Sequence, residues 1–314
     1  MPITSASSQA PPAQCPVCRG DDFSRWGTVE AYDIYQCSGC GLGLTAPVPA
    51  PDELEALNRE LYTLDRRIQA YLPRQRYFER RYRRCIAALK HFRAEGRLLD
   101  VGCNIGLFLK VARDQGYDVT GVELNRECAE FGTRYFGVPI RSEYLEDAAS
   151  ELGQFDVITL FDVLEHIPDM GAFIGSVKEV LKEEGVLVVQ LPNLGSLMAS
   201  MAGSRWGWLT PPDHVYHFTP GALRLFLEGN GFEVVMLRTW EPAKEFTGNL
   251  LTSFCPPGRI AKALFKVIKK LKLLMIPVLC LQHVWWRQER GGLIEAYAVK
   301  RSAGRDRKRS TTQS

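Results

Sequence analysis

From Leu98 onward, short apolar runs alternate with longer stretches whose apolar positions recur at helical spacing. The strand-like runs are Leu98–Val101, Val119–Glu123, Phe155–Phe161, Gly185–Gln190, Phe232–Leu237 and Leu293–Val299. Helical patterns fall between them, at about 105–116, 126–136, 169–182 and 220–230. Strands alternating with helices predict an α/β domain built on a doubly wound, largely parallel sheet. Upstream, Pro47, Pro49 and Pro51 mark a boundary. Residues 52–62 and 65–93 beyond it read as helical, with Pro73 as a break or kink.

The chain has 314 residues, 46% of them hydrophobic and 24% charged, which suits one large or two modest domains with a real core. A net charge of +3 excludes a polycation. The charge is uneven, however. Residues 66–97 carry eleven Lys or Arg against Glu79 and Glu95. The arginine-rich stretch 66–84 reads either as a solvated helical face or as a surface for the phosphates of a substrate.

Residues 1–14 are small, polar and Pro-rich, without the basic start and apolar core of a secretory signal, and are expected to be disordered. The basic tail 301–314 is expected to fray. Residues 258–289 interrupt the α/β rhythm with five lysines, the apolar run 273–281 and Trp285-Trp286. Nine apolar residues containing a proline cannot span a bilayer. The preferred reading is a helical insertion against the core or a partner subunit, as in a homodimer; the alternative is membrane-surface contact through 258–286.

Nine cysteines occur, an odd number that fits a reducing cytoplasm better than a disulfide framework. Four form two knuckles, Cys15-Pro-Val-Cys18 and Cys37-Ser-Gly-Cys40. Two such knuckles complete a four-thiolate zinc site, so residues 15–45 predict a zinc ribbon. With no open coordination position, that zinc is structural, and 46–95 forms a helical segment after it.

The chemistry centres on Arg97-Leu-Leu-Asp-Val-Gly-Cys-Asn-Ile-Gly106. A strand ends at Asp100, and a turn through Gly102, Cys103, Asn104 and Gly106 opens a helix. The spacing lacks the three-glycine pattern that brings backbone to a pyrophosphate, which favours a cofactor without phosphates. The next strand ends in Glu123-Leu124, where an acid accepts from two ribose hydroxyls. Phe155-Asp-Val-Ile-Thr-Leu-Phe-Asp162 delivers Phe161 and Asp162 to the same edge.

These blocks, with Asp162-Val-Leu-Glu-His166 and Leu191-Pro-Asn193 in order, resemble class I S-adenosylmethionine-dependent methyltransferases from about Leu98 to Leu237 and again at Leu293–Val299. The resemblance implies a Rossmann-like, seven-stranded sheet over 96–257 and 290–300. It implies that the Asp100–Gly106 loop cradles the methionine part of S-adenosylmethionine, that Glu123 holds its ribose, and that Tyr144, Leu145 and Glu146 flank its adenine. Asn104 departs from the glycine common there, yet Asn tolerates unusual backbone angles.

For the reactive side, Pro212-Asp-His-Val-Tyr-His-Phe-Thr219 is similar to the His-x-x-His-Phe segment of many bacterial methyltransferases associated with surface polysaccharide. It suggests His217 as general base, His214 as acceptor contact and Asp213 as the group orienting an imidazole, the two histidines sharing a face if the segment is helical. Glu165-His166 reads as fixing a turn. Asn193 reads equally as a cap or as a holder of acceptor hydroxyls.

The zinc ribbon ahead of this core resembles bacterial sugar methyltransferases, including deoxysugar C-methyltransferases. The implied function is O-methylation of a saccharide hydroxyl on a nucleotide- or lipid-linked sugar by a cytoplasmic enzyme; C- or N-methylation of a deoxysugar is the variant reading. A rival class is an RNA methyltransferase or nucleic-acid-binding ribbon protein, with Tyr62, Tyr71, Tyr77 and Tyr82 stacking bases among the basic residues. Against it, Asp162-Val-Leu-Glu165 stands where a base-methylating tetrapeptide is expected, so nucleic acid is not the favoured partner.

Overall fold

The computed structural model describes residues 11, 13–254 and 281–301. Most of the first fourteen residues, most of the 258–289 insertion and nearly all of the basic tail lie outside the described residues.

Three strands open the chain: β1 (Phe23–Val29), β2 (Tyr32–Cys37) and β3 (Gly43–Ala46). They pair antiparallel in sequence order. Helices α1 (Pro51–Leu61), α2 (Leu64–Tyr71) and α3 (Gln75–Leu89) follow, and a 3-10 turn at Leu72–Arg74 separates the last two. Pro73 sits in that turn, where a missing backbone donor costs nothing.

The α/β part runs β4 (Gly96–Val101), α4 (Leu107–Arg113), β5 (Tyr117–Val122), α5 (Arg126–Phe136), β6 (Ile140–Arg141), α6 (Leu145–Leu152) and β7 (Phe155–Phe161). It continues through α7 (Met170–Val180), β8 (Leu181–Pro192), α8 (Leu197–Ala202), β9 (Tyr216–His217), α9 (Pro220–Gly229), β10 (Phe232–Trp240), α10 (Ala243–Phe254) and β11 (Leu293–Lys300). Seven of these strands form one sheet in the order β10-β11-β8-β7-β4-β5-β6. β4 pairs in parallel with both β5 and β7, and β5 in parallel with β6. The chain leaves β4 toward β5 and β6, then returns to β4's other side as β7. That reversal is a topological switch point, the place in such sheets where ligands bind at the strands' carboxyl ends.

Local signals explain most element ends. Asn125 and Asp169 cap α5 and α7 by accepting from the N–H groups of Cys128 and Ala172. Gly137 closes α5 in the left-handed region. One boundary differs from the pattern: β8 begins at Leu181, so Lys182-Glu-Glu-Gly185, expected to end a helix and turn, is extended. The buried positions of that strand outweigh the helix preference of its exposed glutamates.

Two compact units result. One comprises Pro51–Val189, Leu227–Met236 and the chain from Tyr297 on. Its core gathers Leu98, Leu109, Val119, Val157, Val188 and Tyr297 among others. The other comprises the chain up to Ala50 with Gln190–Phe226 and Leu237–Ala296. In its core Ile34 packs with Leu194, Met198, Ala199, Trp206 and Leu209. The N-terminal strands thus bury side chains against residues far along the chain. The join is also through backbone, since β3 pairs antiparallel with β9, Gly43 opposite His217 and Leu44 opposite Tyr216.

No helix among the described residues is long and apolar enough to cross a membrane.

Leu98 is fully buried in the central strand β4. Leu98→Ala is expected to lower unfolding free energy by about 2–5 kcal/mol in a urea titration, with little change in slope.

Candidate functional site

The ends of β4, β5 and β7 bring together the residues singled out at the switch point. Asp100 closes β4 with its carboxylate 3% exposed, and Thr159 of β7, its register neighbour, donates a hydroxyl hydrogen bond to it at 2.6 Å. Burial is the dominant cause that pushes the Asp100 carboxyl up to about 7; the Thr159 bond opposes the shift and the Glu123 charge adds to it. Nothing local to Thr159 marks it as this partner: its strand also carries Asp156, and the contact is made across strands.

The turn that follows leaves no room for a side chain at Gly102. Its φ is +69°, and a Cβ there would lie 2.7 Å from Val163 Cγ2. Asn104 also takes a left-handed φ of 55°. Its side chain supports that conformation by accepting from the Ile105 N–H at 2.8 Å. Gly106, at φ +76°, forms the N-cap of α4. Cys103 is buried, which holds its thiol well above the usual range.

Glu123 reaches across this turn. One carboxylate oxygen accepts from the Asn104 N–H at 2.8 Å and the other from the Asn125 N–H at 2.9 Å. Burial raises its pKa, while those amides and the Arg67 guanidinium favour its charged form. A carboxylate has about four acceptor positions, so both oxygens retain capacity for further hydroxyl donors. Leu124 beside it is half exposed.

Helices α1 to α3 add residues that no motif announced. The Arg67 guanidinium stacks over the Tyr62 ring at 4.0 Å from its centroid, and the Tyr62 carbonyl accepts from Asn125 Nδ2 at 2.8 Å. Phe161 meets Phe108 edge-on at 4.7 Å and stacks with Tyr82 at 6.3 Å. Tyr71 and Tyr82 pack against the core cluster, and burial raises both phenols. Two of the four tyrosines considered as base-stacking platforms are therefore committed to packing. Asp162 takes a φ of 55°, a sparsely populated conformation for aspartate that concentrates at functional sites. Tyr144 is the exposed N-cap residue of α6, whose first turn holds buried Leu145 and exposed Glu146.

Glu165 and His166 lie in a 3-10 turn at Leu164–His166, with Glu165 buried and the His166 ring edge-on to Tyr62 at 6.0 Å.

In the other unit, the four cysteines converge. The Sγ atoms of Cys15, Cys18, Cys37 and Cys40 all lie within 4.8 Å of one another; Cys15 is 3.6 Å from Cys40 and Cys18 is 3.4 Å from Cys37. Four sulfurs around a tetrahedral zinc at about 2.3 Å would be about 3.8 Å apart, so the donor set and its spacing fit that ion. The Gly20 N–H is the largest factor holding the Cys18 thiol below its usual value.

His217 lies in the two-residue strand β9, and His214 follows a turn at 211–213 just before it, so the segment is not helical. The two rings lie side by side, with centroids 6.1 Å apart. His217 is buried at 4% exposure; Asp213 and His214 are half-buried. Thr45 of β3 bonds to this segment with its hydroxyl, at 2.6 Å from the His214 carbonyl and 3.0 Å from His217 Nε2. Asn193 spends its amide on backbone: Nδ2 donates to the Glu289 and Gly291 carbonyls, and Oδ1 accepts from the Gly195 N–H. Its geometry is that of a buttress.

Residues 74–237 match the family described as "Methyltransferase domain". The chain is 32% identical over 109 residues to a ubiquinone biosynthesis O-methyltransferase of Psychrobacter arcticus, which covers 31% of this chain and 41% of that one. It is 30% identical over 152 residues to the protein of the same name from Caulobacter sp. (strain K31), covering 44% of this chain and 60% of that one. The chain thus spans about half the length of these curated relatives. Among solved structures, a SAM-dependent methyltransferase from Archaeoglobus fulgidus superposes with a TM-score of 0.50 at 18% identity, over 78% of this chain and 99% of that one, which is a likeness of fold.

Asp100 provides a pH test. Its folded-state pKa of about 7 lies above the ordinary 3.8, so the folded protein holds a proton that the unfolded chain releases. The associated stability is present below 3.8 and lost as pH rises through about 7. Asp100→Asn is therefore expected to flatten the decline of the urea midpoint across that interval; parallel wild-type and variant curves would contradict the assignment.

Proposed function

This chain belongs to the methyltransferase-domain family, and from that premise we propose that it transfers a methyl group from S-adenosylmethionine to a hydroxyl of a small-molecule acceptor. The observation that carries the reading is the family match over the strand ends where Asp100, Glu123 and Asp162 collect. The loop Asp100, Gly102, Cys103, Asn104 and Gly106 would hold the methionine part. The Glu123 carboxylate would accept from the ribose hydroxyls, with Leu124, Tyr144, Leu145 and Glu146 beside the adenine and Phe161 and Asp162 at the reacting end. The sulfonium supplies an already electrophilic methyl, so this chain's residues need only orient the acceptor, exclude water and take its proton. His217 would take that proton, His214 would contact the acceptor and Asp213 would orient an imidazole. The names of the curated relatives support a hydroxyl as the methylated group.

The narrower reading is a sugar hydroxyl on a nucleotide- or lipid-linked acceptor, whose phosphates would face exposed arginines such as Arg66, Arg76 and Arg80. The relatives' names favour a second acceptor class, a phenol of the ubiquinone type. Mass spectrometry after incubation with panels of both classes decides between them, through the gain of one CH2 in the modified compound.

Glu123→Ala removes a charged acceptor of two hydroxyl bonds. It is expected to weaken S-adenosylmethionine binding by about 10- to 100-fold, measured by calorimetry. If neither S-adenosylmethionine nor its demethylated product raises the melting temperature of the wild-type chain, the methyltransferase reading fails.

A structural zinc held by Cys15, Cys18, Cys37 and Cys40 belongs to the same proposal, supported by the convergence of the four thiols. The purified chain is expected to carry about one zinc per molecule by elemental analysis, and Cys37→Ser to lose it together with several degrees of melting temperature.

A further inference from the structure

Thr45 lies in the N-terminal sheet, far in sequence from the histidines it touches, and it is fully buried. Its backbone N–H donates to the Val215 carbonyl at 2.9 Å, in line with the pairing of β3 and β9. The approach of these strands is close: a Cβ on Gly43 would lie 2.9 Å from His217 Cβ and 2.7 Å from Leu194 Cδ2. The register is thereby fixed, and with it the position of the Thr45 hydroxyl.

That hydroxyl has one proton and two neighbours. It lies 2.6 Å from the His214 carbonyl oxygen and 3.0 Å from His217 Nε2. Two oxygens 2.6 Å apart need a hydrogen between them, and a carbonyl has none to give. The Thr45 proton therefore goes to His214, and the hydroxyl can only accept from His217. Nε2 of His217 must carry a hydrogen.

We propose that Thr45 is a positioning residue that sets the tautomer of His217, committing Nε2 as donor and leaving Nδ1 as the nitrogen that receives a proton. The role in methyl transfer rests on the proposed function; the tautomer itself does not. When Nδ1 gains a proton the ring becomes cationic, and the Nε2–H to Thr45 bond becomes charge-assisted and roughly twice as strong. The chain His217 Nε2–H to Thr45 O–H to the His214 carbonyl runs in one direction, each bond reinforcing the next. Through β3, the N-terminal ribbon would then tune a proton acceptor without touching the substrate.

The test is nitrogen-15 NMR of the full chain labelled at histidine, with His217 resonances assigned by their loss in His217→Gln. Wild type is expected to show His217 protonated at Nε2 at high pH, in the absence of cofactor and acceptor. Thr45→Ser, which keeps the hydroxyl, is expected to preserve that pattern. Thr45→Val, which keeps the volume and removes the hydroxyl, is expected to mix or reverse the tautomers. A wild-type His217 protonated at Nδ1, or a Thr45→Val spectrum matching wild type, would overturn the proposal. Should Thr45→Val fail to fold, the wild-type and Thr45→Ser spectra still decide. Because no turnover is read, failure here is separate from failure to bind S-adenosylmethionine.

Discussion

β4 pairs in parallel with β5 on one side and β7 on the other, and the geometry of the cluster at the strand ends depends on that double pairing. A strand flanked by parallel partners reached in opposite directions leaves no connection crossing its carboxyl end. Asp100, the Gly102 turn, Glu123 and Asp162 all lie where that pairing stops. The steric limit is set at the same point. Val163, just past β7, occupies the space a Gly102 side chain would need. The left-handed turn and the strand register are thus a single constraint.

Electrostatics follow from the same placement. Two carboxylates sit close together in a largely buried region, and burial raises both. They differ in how they are supported. Asp100 has one hydroxyl donor, whereas Glu123 receives two backbone N–H groups and the field of Arg67. Backbone donors cannot rotate away, so Glu123 is held ready as an acceptor while Asp100 sits near a neutral, protonated state. One carboxyl bonds to a neighbouring strand and the other to the backbone of the Gly102–Gly106 turn.

A second organisation joins the N-terminal strands to residues 194–217. The N-terminal strands are too short to bury a core of their own, and Ile34 completes one with residues 194–209. The backbone pairing of Gly43 with His217 extends this contact into the histidine segment. The N-terminal sheet is therefore held both by side-chain packing and by backbone pairing with the His217 segment.

Much of this was legible in the chain. The alternation of apolar runs and helical repeats located six strands of the seven-stranded sheet, because burial imposes period and length on sequence. Asp100, Gly102, Glu123 and the four cysteines stood out for a similar reason: a sharp turn, an acid-ended strand and paired cysteine knuckles each admit few residue types at fixed local spacing. The two-residue strand Ile140–Arg141 left no periodic trace, and the start of β8 was hidden by glutamates that favour helix. Thr159, Arg67, Tyr62 and Thr45 carried no signal of their role, because each acts on a partner distant in sequence. His214 and His217 illustrate the divide most directly. Their residue type and spacing made the segment a candidate for proton transfer. Whether they share a helical face, or sit as here with His217 in a strand and His214 just ahead of it, was decided by long-range pairing with β3, which the local sequence does not encode.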